Sequence, residues 1–273
     1  MDTLSRKLSE MTFCALDLET TGTNPAFHEI IEAGIIRFNR EGTRDAYESL
    51  VNPGMKIPPE TTAIHGITDE MVHSSPLIGD ILGDIAEFIR GSLLVIHCPE
   101  FDISFLRESF RKNDMPVPEM IAVDTVRLSR RAYPDLPNYR LDTICNHLRY
   151  QIMHHRASPD ARGCMTIFTD ILRREDPDKR WTMADLRKYH GNFVRMTGGK
   201  RMKRVGTIGR RMRGIELGKT VDITYMDNAG NVTTRTIHPR EFITVENDVY
   251  VLAYCHLRGD TRYFRIDRII EPK

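Results

Sequence analysis

The stretch FCALDLETTG, residues 13–22, is an apolar run with the look of a core strand, yet it carries Asp17 and Glu19 two positions apart. Successive side chains of a strand point to opposite faces, so these two carboxylates share one face while Leu16 and Leu18 pack on the other. Two like charges a few ångströms apart in a core repel, and they require a cation, a basic side chain or a shared proton. Any fold for this chain must therefore bury the strand and bring a partner to its acidic face.

The surrounding pattern supplies the rest of a mixed sheet. EIIEAGIIRFN (29–39) and YESLVNP (47–53) read as two further strands of an antiparallel meander. SPLIGDILGDIAEFIRG (75–91) reads as a helix with Ser75 as N-cap, Pro76 at the first helical position and Gly91 as the stop. SLLVIH (92–97) reads as a buried parallel strand, 101–113 as an amphipathic helix, 119–125 as a strand and 141–148 as a helix. In 154–174 Ser158 is the expected cap, and Pro159 opens a helix that buries Met165, Phe168 and Leu172. Strands alternating with helices after a meander indicate an α/β mixed sheet.

Beyond residue 175 the pattern changes. A polar stretch leads to RMTGGKRMKRVGTIGRRMR (195–213), which has eight basic residues and no acidic one. Such a block is either a solvated linker or a contact for a polyanion. From Val221 the period is two, with the turn signals NAGN and RGDT between short strands, which indicates a small all-β barrel or sheet. At 273 residues two domains are expected. No apolar run approaches the roughly 20 residues of a membrane helix. The five cysteines, Cys14, Cys98, Cys145, Cys164 and Cys255, are scattered and lack CxxC spacing, which disfavours structural zinc or a disulfide framework and fits a reducing cytoplasm.

Two more carboxylates stand where they can join the strand pair. Asp102 lies where LLVIH gives way to a helix, and Asp160 lies in the first turn of another. Each alone reads as a charge complementing a helix dipole. Together with Asp17 and Glu19 they form a set that persists only around cations, and hard oxygen ligands without sulfur imply Mg²⁺ or Mn²⁺. Two such ions suit phosphodiester hydrolysis, with His155, five residues before Asp160, as general base.

DLETTG, HCPEFD and HRASPD resemble the three motifs of DnaQ-like, DEDDh-type 3′–5′ exonucleases, and VNPGMKIPPETTAIHGITDEMV (51–72) resembles the segment between the first two. The resemblance implies an RNase H-like fold over residues 11–174, followed by a basic linker at 175–204. It implies that Asp17, Glu19 and Asp160 hold the two metal ions, that Asp102 completes the site through water, and that His155 deprotonates the attacking water. Thr20, Thr21, Ile64, His65 and Phe101 are then expected around the terminal nucleotide. One departure is Cys98 after His97, where the family usually has Asn; cysteine cannot bond as an amide does.

Residues 205–273 resemble WYL domains, most specifically through CHLRGDTRYFRIDRI, although Val249 and Val251 depart from the Trp and Leu of the namesake triplet. The resemblance implies a small Sm-like or SH3-like barrel found beside nucleic-acid-processing modules. Tyr225, Tyr250, Tyr254, Arg258, Arg262 and Arg265 then offer stacking surfaces and guanidiniums for single-stranded nucleic acid or a phosphorylated ligand. The bland alternatives are tyrosines in the core and arginines paired with Asp260 and Asp267.

The expected function is a metal-dependent 3′–5′ exonuclease that acts on single-stranded 3′ ends of DNA or RNA and releases nucleoside monophosphates, with DNA repair or polymerase proteins as possible partners and no membrane. Two rival readings are a non-enzymatic nucleic-acid sensor and a polymerase proofreading subunit.

Overall fold

The computed structural model describes residues 3–152, 155–198, 214–226, 232–245, 248–258 and 260–272. It divides into two compact units, Met1–Gly198 and Gly199–Lys273. The basic run from 199 to 213 and the NAGN turn lie outside the described residues.

The first unit is built on a six-stranded sheet. β1 (Phe13–Thr20), β2 (Ile30–Asn39) and β3 (Gly42–Leu50) form the antiparallel meander, and β4 (Leu93–Ile96) and β5 (Met120–Asp124) extend it in parallel on the other side of β1. The sheet order is β3-β2-β1-β4-β5-β6, where β6 (Val194–Met196) runs antiparallel to β5. The helices, in chain order, are α1 (Pro59–His65), α2 (Asp69–Val72), α3 (Ile78–Ile89), α4 (Pro99–Lys112), α5 (Thr125–Ala132), α6 (Leu141–His147), α7 (Ala157–Glu175) and α8 (Met183–His190).

Side-chain alternation along β1 sets the two layers. Phe13 and Ala15 join Cys164, Phe168 and Ile171 of α7 in one core, while Cys14, Leu16 and Leu18 join Ile85 and Ile89 of α3 and Leu106 of α4 in the other. Asp17 and Glu19 continue the parity of Phe13 and Ala15, so they face α7.

Several boundaries differ from the sequence expectation, each for a tertiary reason. α3 starts at Ile78 rather than after Ser75, because Leu77 is extended and bridges to Asn52, whose N–H donates to the Pro76 carbonyl at 2.9 Å; the Leu77 N–H then donates to Asp80 at 2.9 Å. α7 starts at Ala157, so Ser158 is not its cap. The stretch expected to connect the domains supplies α8 and β6 to the first unit, and the short β6 depends on β5 for its ladder. α5, which the pattern does not reveal, is nucleated by Asp124, whose carboxylate accepts the Val126 N–H at 2.8 Å.

The second unit is a five-stranded antiparallel sheet of β7 (Val221–Met226), β8 (Val232–Val245), β9 (Asp248–Cys255), β10 (Asp260–Arg265) and β11 (Ile269–Pro272), in the order β10-β9-β8-β7-β11. Ile223, Ile237, Val251, Ala253 and Phe264 form its core. The register of β8 shifts at Pro239, which has no N–H to give the ladder. The edge strands β10 and β11 share no ladder among the described residues, so the expected barrel is here an open sheet.

Candidate active site

The acidic face of β1 meets the first turn of α7. Carboxylate oxygens of Asp17, Glu19 and Asp160 all lie within 4.8 Å of one another. Asp160 is buried, its backbone N–H donating to the Arg156 carbonyl at 3.1 Å in the opening turn of α7. Asp102, in the first turn of α4 and 3% exposed, accepts the Leu18 N–H at 3.0 Å, which brings the fourth carboxylate against β1. All four expected carboxylates therefore converge at one end of the sheet.

Their electrostatics are those of a set in which burial and like charge outweigh the nearby Arg156. Burial, followed by the charges of Asp102, Asp160 and Glu19, raises Asp17 well above the usual carboxylate range. Burial and then Asp160 push Glu19 up to about 8. Burial raises Asp102 as well, opposed by the backbone N–H groups it accepts. Such a set either holds protons at neutral pH or holds cations. Three oxygen donors on a strand and a helix, with neither sulfur nor imidazole among them, fit a hard divalent cation.

His155 precedes α7 with a left-handed backbone, φ +62°, and its N–H donates to Asp160 Oδ2 at 3.2 Å. The candidate base is thus fastened to the cluster through its own main chain, with its side chain exposed. His65, at the end of α1, is 5% exposed; its Nδ1 accepts the Ile67 N–H at 3.0 Å, which leaves the proton of the neutral ring on Nε2. That Nε2 is buried and has no hydrogen-bond partner among the described residues. Burial lowers the His65 pKa, and the charges of Glu32 and His155 also act on it. The neighbouring Ile64 is 58% exposed.

The hydroxyls of Thr20 and Thr21 are engaged in the turn after β1. Thr20 donates to the Gly22 carbonyl at 2.7 Å, and Thr21 accepts the Glu29 N–H at 3.0 Å. Phe101 packs its ring on Phe105, 5.0 Å between centroids. Cys98, the motif departure, caps α4 with φ +59° and an exposed side chain, and its N–H donates to Asp124 at 3.4 Å. Sequence reasoning passed over Glu32 and Arg156, which pair beside the cluster. The signal was present: Glu32 interrupts the apolar run IIEAGII as Asp17 interrupts β1.

In the second unit the expected surface is split between two faces. Tyr225 packs edge-to-face on Phe264 with centroids 5.2 Å apart, and its hydroxyl accepts the Arg265 N–H at 3.4 Å, so it belongs to the core. Tyr250 and Tyr254 alternate with the buried Val251, Ala253 and Cys255 and therefore stand on the opposite face. Arg262 lies opposite Ala253 on the core-facing side, although its side chain is exposed, and Arg258 is exposed in the turn after β9. Arg265 makes a forked pair with Asp267 at 2.8 and 2.6 Å, the ordinary salt bridge that was the bland alternative.

A meander extended by parallel strands, with carboxylates gathered where β1 meets the openings of α4 and α7, defines an RNase H-like nuclease fold. The chain belongs to the RNase_T exonuclease family, whose model matches residues 14–168, and it carries a WYL domain matched at residues 210–273. The family is divalent-metal dependent, in keeping with the acidic cluster.

Relatives include the PolC-type DNA polymerase III of Caldanaerobacter subterraneus subsp. tengcongensis, 37% identical over 166 residues that cover 60% of this chain and 12% of that protein. The DNA polymerase III subunit epsilon of Treponema pallidum is 34% identical over 59% of this chain and 77% of its own length. The chain thus spans only a small part of the PolC-type relatives it matches. Among solved structures, exonuclease X in complex with 5′ overhanging duplex DNA is 27% identical, covers 64% of this chain and 98% of that one, and superposes with a TM-score of 0.50. E. coli exonuclease I in complex with a dA16 oligonucleotide, 16% identical with a TM-score of 0.56 over 90% of this chain and 55% of that one, shares the fold. Among the described residues, no helix is long and apolar enough to cross a membrane.

Proposed function

We propose that this protein is a metal-dependent 3′–5′ exonuclease that hydrolyses the terminal phosphodiester of DNA or RNA and releases nucleoside monophosphates. The observation that carries the reading is the meeting of Asp17, Glu19 and Asp160 within 4.8 Å, with His155 fastened to Asp160.

Asp17, Glu19 and Asp160 hold Mg²⁺ or Mn²⁺, and Asp102 adds its charge from the start of α4. When bound, two such ions neutralise the phosphoryl oxygens and the leaving oxygen and acidify water. His155 takes the proton of the attacking water, and the bond from its main-chain N–H to Asp160 keeps the residue beside the cluster. His65 Nε2–H is the donor for a nucleotide acceptor, since this buried group otherwise costs about 1–3 kcal/mol. Ile64 offers an apolar surface to the terminal nucleotide, Phe101 stands at the opening of α4, and Thr20 and Thr21 shape the turn beside it.

We assign the exonuclease unit to residues up to 198 and nucleic-acid or ligand binding to the WYL unit, through Tyr250, Tyr254, Arg258 and Arg262. The strand order β10-β9-β8-β7-β11 is compatible with a small Sm-like or SH3-like barrel that remains open between β10 and β11. The polymerase III names of the relatives support polymerase or repair proteins as the class of partner, and free cysteines support a reducing, cytoplasmic setting.

The test is incubation of the full chain with 5′-labelled single-stranded DNA or RNA and Mg²⁺ or Mn²⁺. A ladder that shortens from the 3′ end and disappears with Asp17→Ala is the expected result. Binding without cleavage under both metals would instead favour a sensor.

A further inference from the structure

Glu32 is a buried strand carboxylate to which the proposed reaction gives no part. It stands directly across the β1–β2 ladder from Glu19 and is 1% exposed, so it projects from the same face as the β1 pair. Burying one more carboxylate beside four others is costly unless it is paired and hydrogen-bonded. Its partner comes from the threshold of α7. Glu32 Oε1 accepts from Arg156 Nε at 3.0 Å and Nη2 at 2.5 Å, and Oε2 accepts from Arg156 Nε at 3.1 Å. Oε2 also accepts the Ala157 N–H at 2.8 Å.

That last bond is a helix cap supplied from another element. Arg156 is the N-cap residue of α7 and makes no side-chain cap of its own, so the first N–H of the helix is satisfied by β2. Gly34, two residues along β2 and on the same face, completes the seat. A Cβ there would collide with the Ala157 carbonyl carbon and the Ser158 amide nitrogen, so the opening turn of α7 lies on bare backbone. His155 immediately precedes this clamp, and Asp160 lies one turn beyond it.

We propose that Glu32, with Gly34 as its seat and Arg156 as its counter-ion, is a positioning residue of the exonuclease site. It fixes the first turn of α7 on β2 and thereby sets where Asp160 and His155 stand relative to Asp17 and Glu19. The inference rests on the function proposed above. Glutamine cannot replace it, because an amide has one acceptor oxygen for the Arg156 fork and the Ala157 N–H together and leaves the guanidinium without its counter-charge.

The full chain is compared with Glu32→Gln and Arg156→Lys by three readouts: kcat and KM on single-stranded DNA with Mg²⁺, calorimetric titration with Mn²⁺ alone, and thermal melting. Glu32→Gln is expected to melt cooperatively and to lower kcat about a hundredfold with KM little changed. Its Mn²⁺ affinity is expected to fall by about 10–100-fold at unchanged stoichiometry. Arg156→Lys keeps the charge but loses the fork, and should lie between wild type and Glu32→Gln. A folded Glu32→Gln with wild-type kcat and Mn²⁺ affinity overturns the proposal, as does one with fewer Mn²⁺ sites of unchanged affinity, the mark of a merely structural role. If Glu32→Gln fails to fold, Arg156→Lys decides, and wild-type kcat and Mn²⁺ affinity in that variant overturn the proposal. If the wild type itself cleaves nothing, the exonuclease reading fails, while equal Mn²⁺ affinity in wild type and Glu32→Gln separately overturns the clamp.

Discussion

The first unit gathers Asp17, Glu19, Asp102, Asp160 and Glu32 around one end of β1 and β2, and Glu32 draws Arg156 to itself as an ion-pair partner. In the second unit two of the arginines are answered by the same sheet. Arg265 forks onto Asp267, and the buried Arg235 lies over the Tyr225 and Phe264 rings at 5.8 and 5.9 Å. A residue type that looks functional in a sequence is thus informative to the degree that its own chain leaves the charge unanswered. Like charges assembled on rigid elements, with raised pKa values, call for something from outside; guanidiniums seated on carboxylates and rings do not.

The sharpest way to break this comparison is Asp17→Asn. Removal of one charge from the cluster is expected to lower hydrolysis of single-stranded DNA by at least about a thousandfold, measured as initial rate in Mg²⁺. Next is His155→Ala, expected to cost about 10²–10⁴-fold in kcat while leaving Mn²⁺ titration close to wild type, since this residue moves a proton and holds no cation.

A third test uses pH without metal. Glu19 has a folded pKa of about 8 against an ordinary value of 4.5, so the folded state binds the extra proton between those values. This contribution to stability is fully present below pH 4.5 and is lost as pH rises through about 8. The metal-free melting temperature should therefore fall across this window, and Mg²⁺ should raise it more at pH 8 than at pH 5, because it binds the ionised set. The smallest effect belongs to the second unit. Arg265→Gln should change stability by no more than about 1 kcal/mol in denaturant unfolding, because its pair with Asp267 is a partly exposed one, and should leave hydrolysis by the first unit intact.

The cluster was legible because strand parity is local: Asp17 and Glu19 cannot avoid sharing a face once Leu16 and Leu18 are buried. The helix opening that carries Asp102 was legible from an apolar strand giving way to helical periodicity, and the first turn that carries Asp160 from Pro159 and the apolar stripe that follows it. What escaped depends on distant partners. The start of α7 was misplaced because its cap is Glu32, 125 residues earlier, rather than Ser158. The start of α3 was misplaced because Leu77 pairs with Asn52 instead of entering the helix. β6 has three residues and exists through its ladder with β5. In the second unit, alternation gave the strands, but composition could not reveal that Tyr225 turns inward while Tyr250 and Tyr254 turn outward.

The central claim, that the carboxylates of the first unit hydrolyse nucleic acid from the 3′ end, is tested most directly by giving the full chain one oligonucleotide labelled separately at each end in Mg²⁺. The account predicts that 3′ label is released first as a mononucleotide, that 5′ label appears as a shortening ladder, and that chelation of the metal stops both. Release of 5′ label as the first product, internal cuts, or undiminished cleavage after chelation would contradict it.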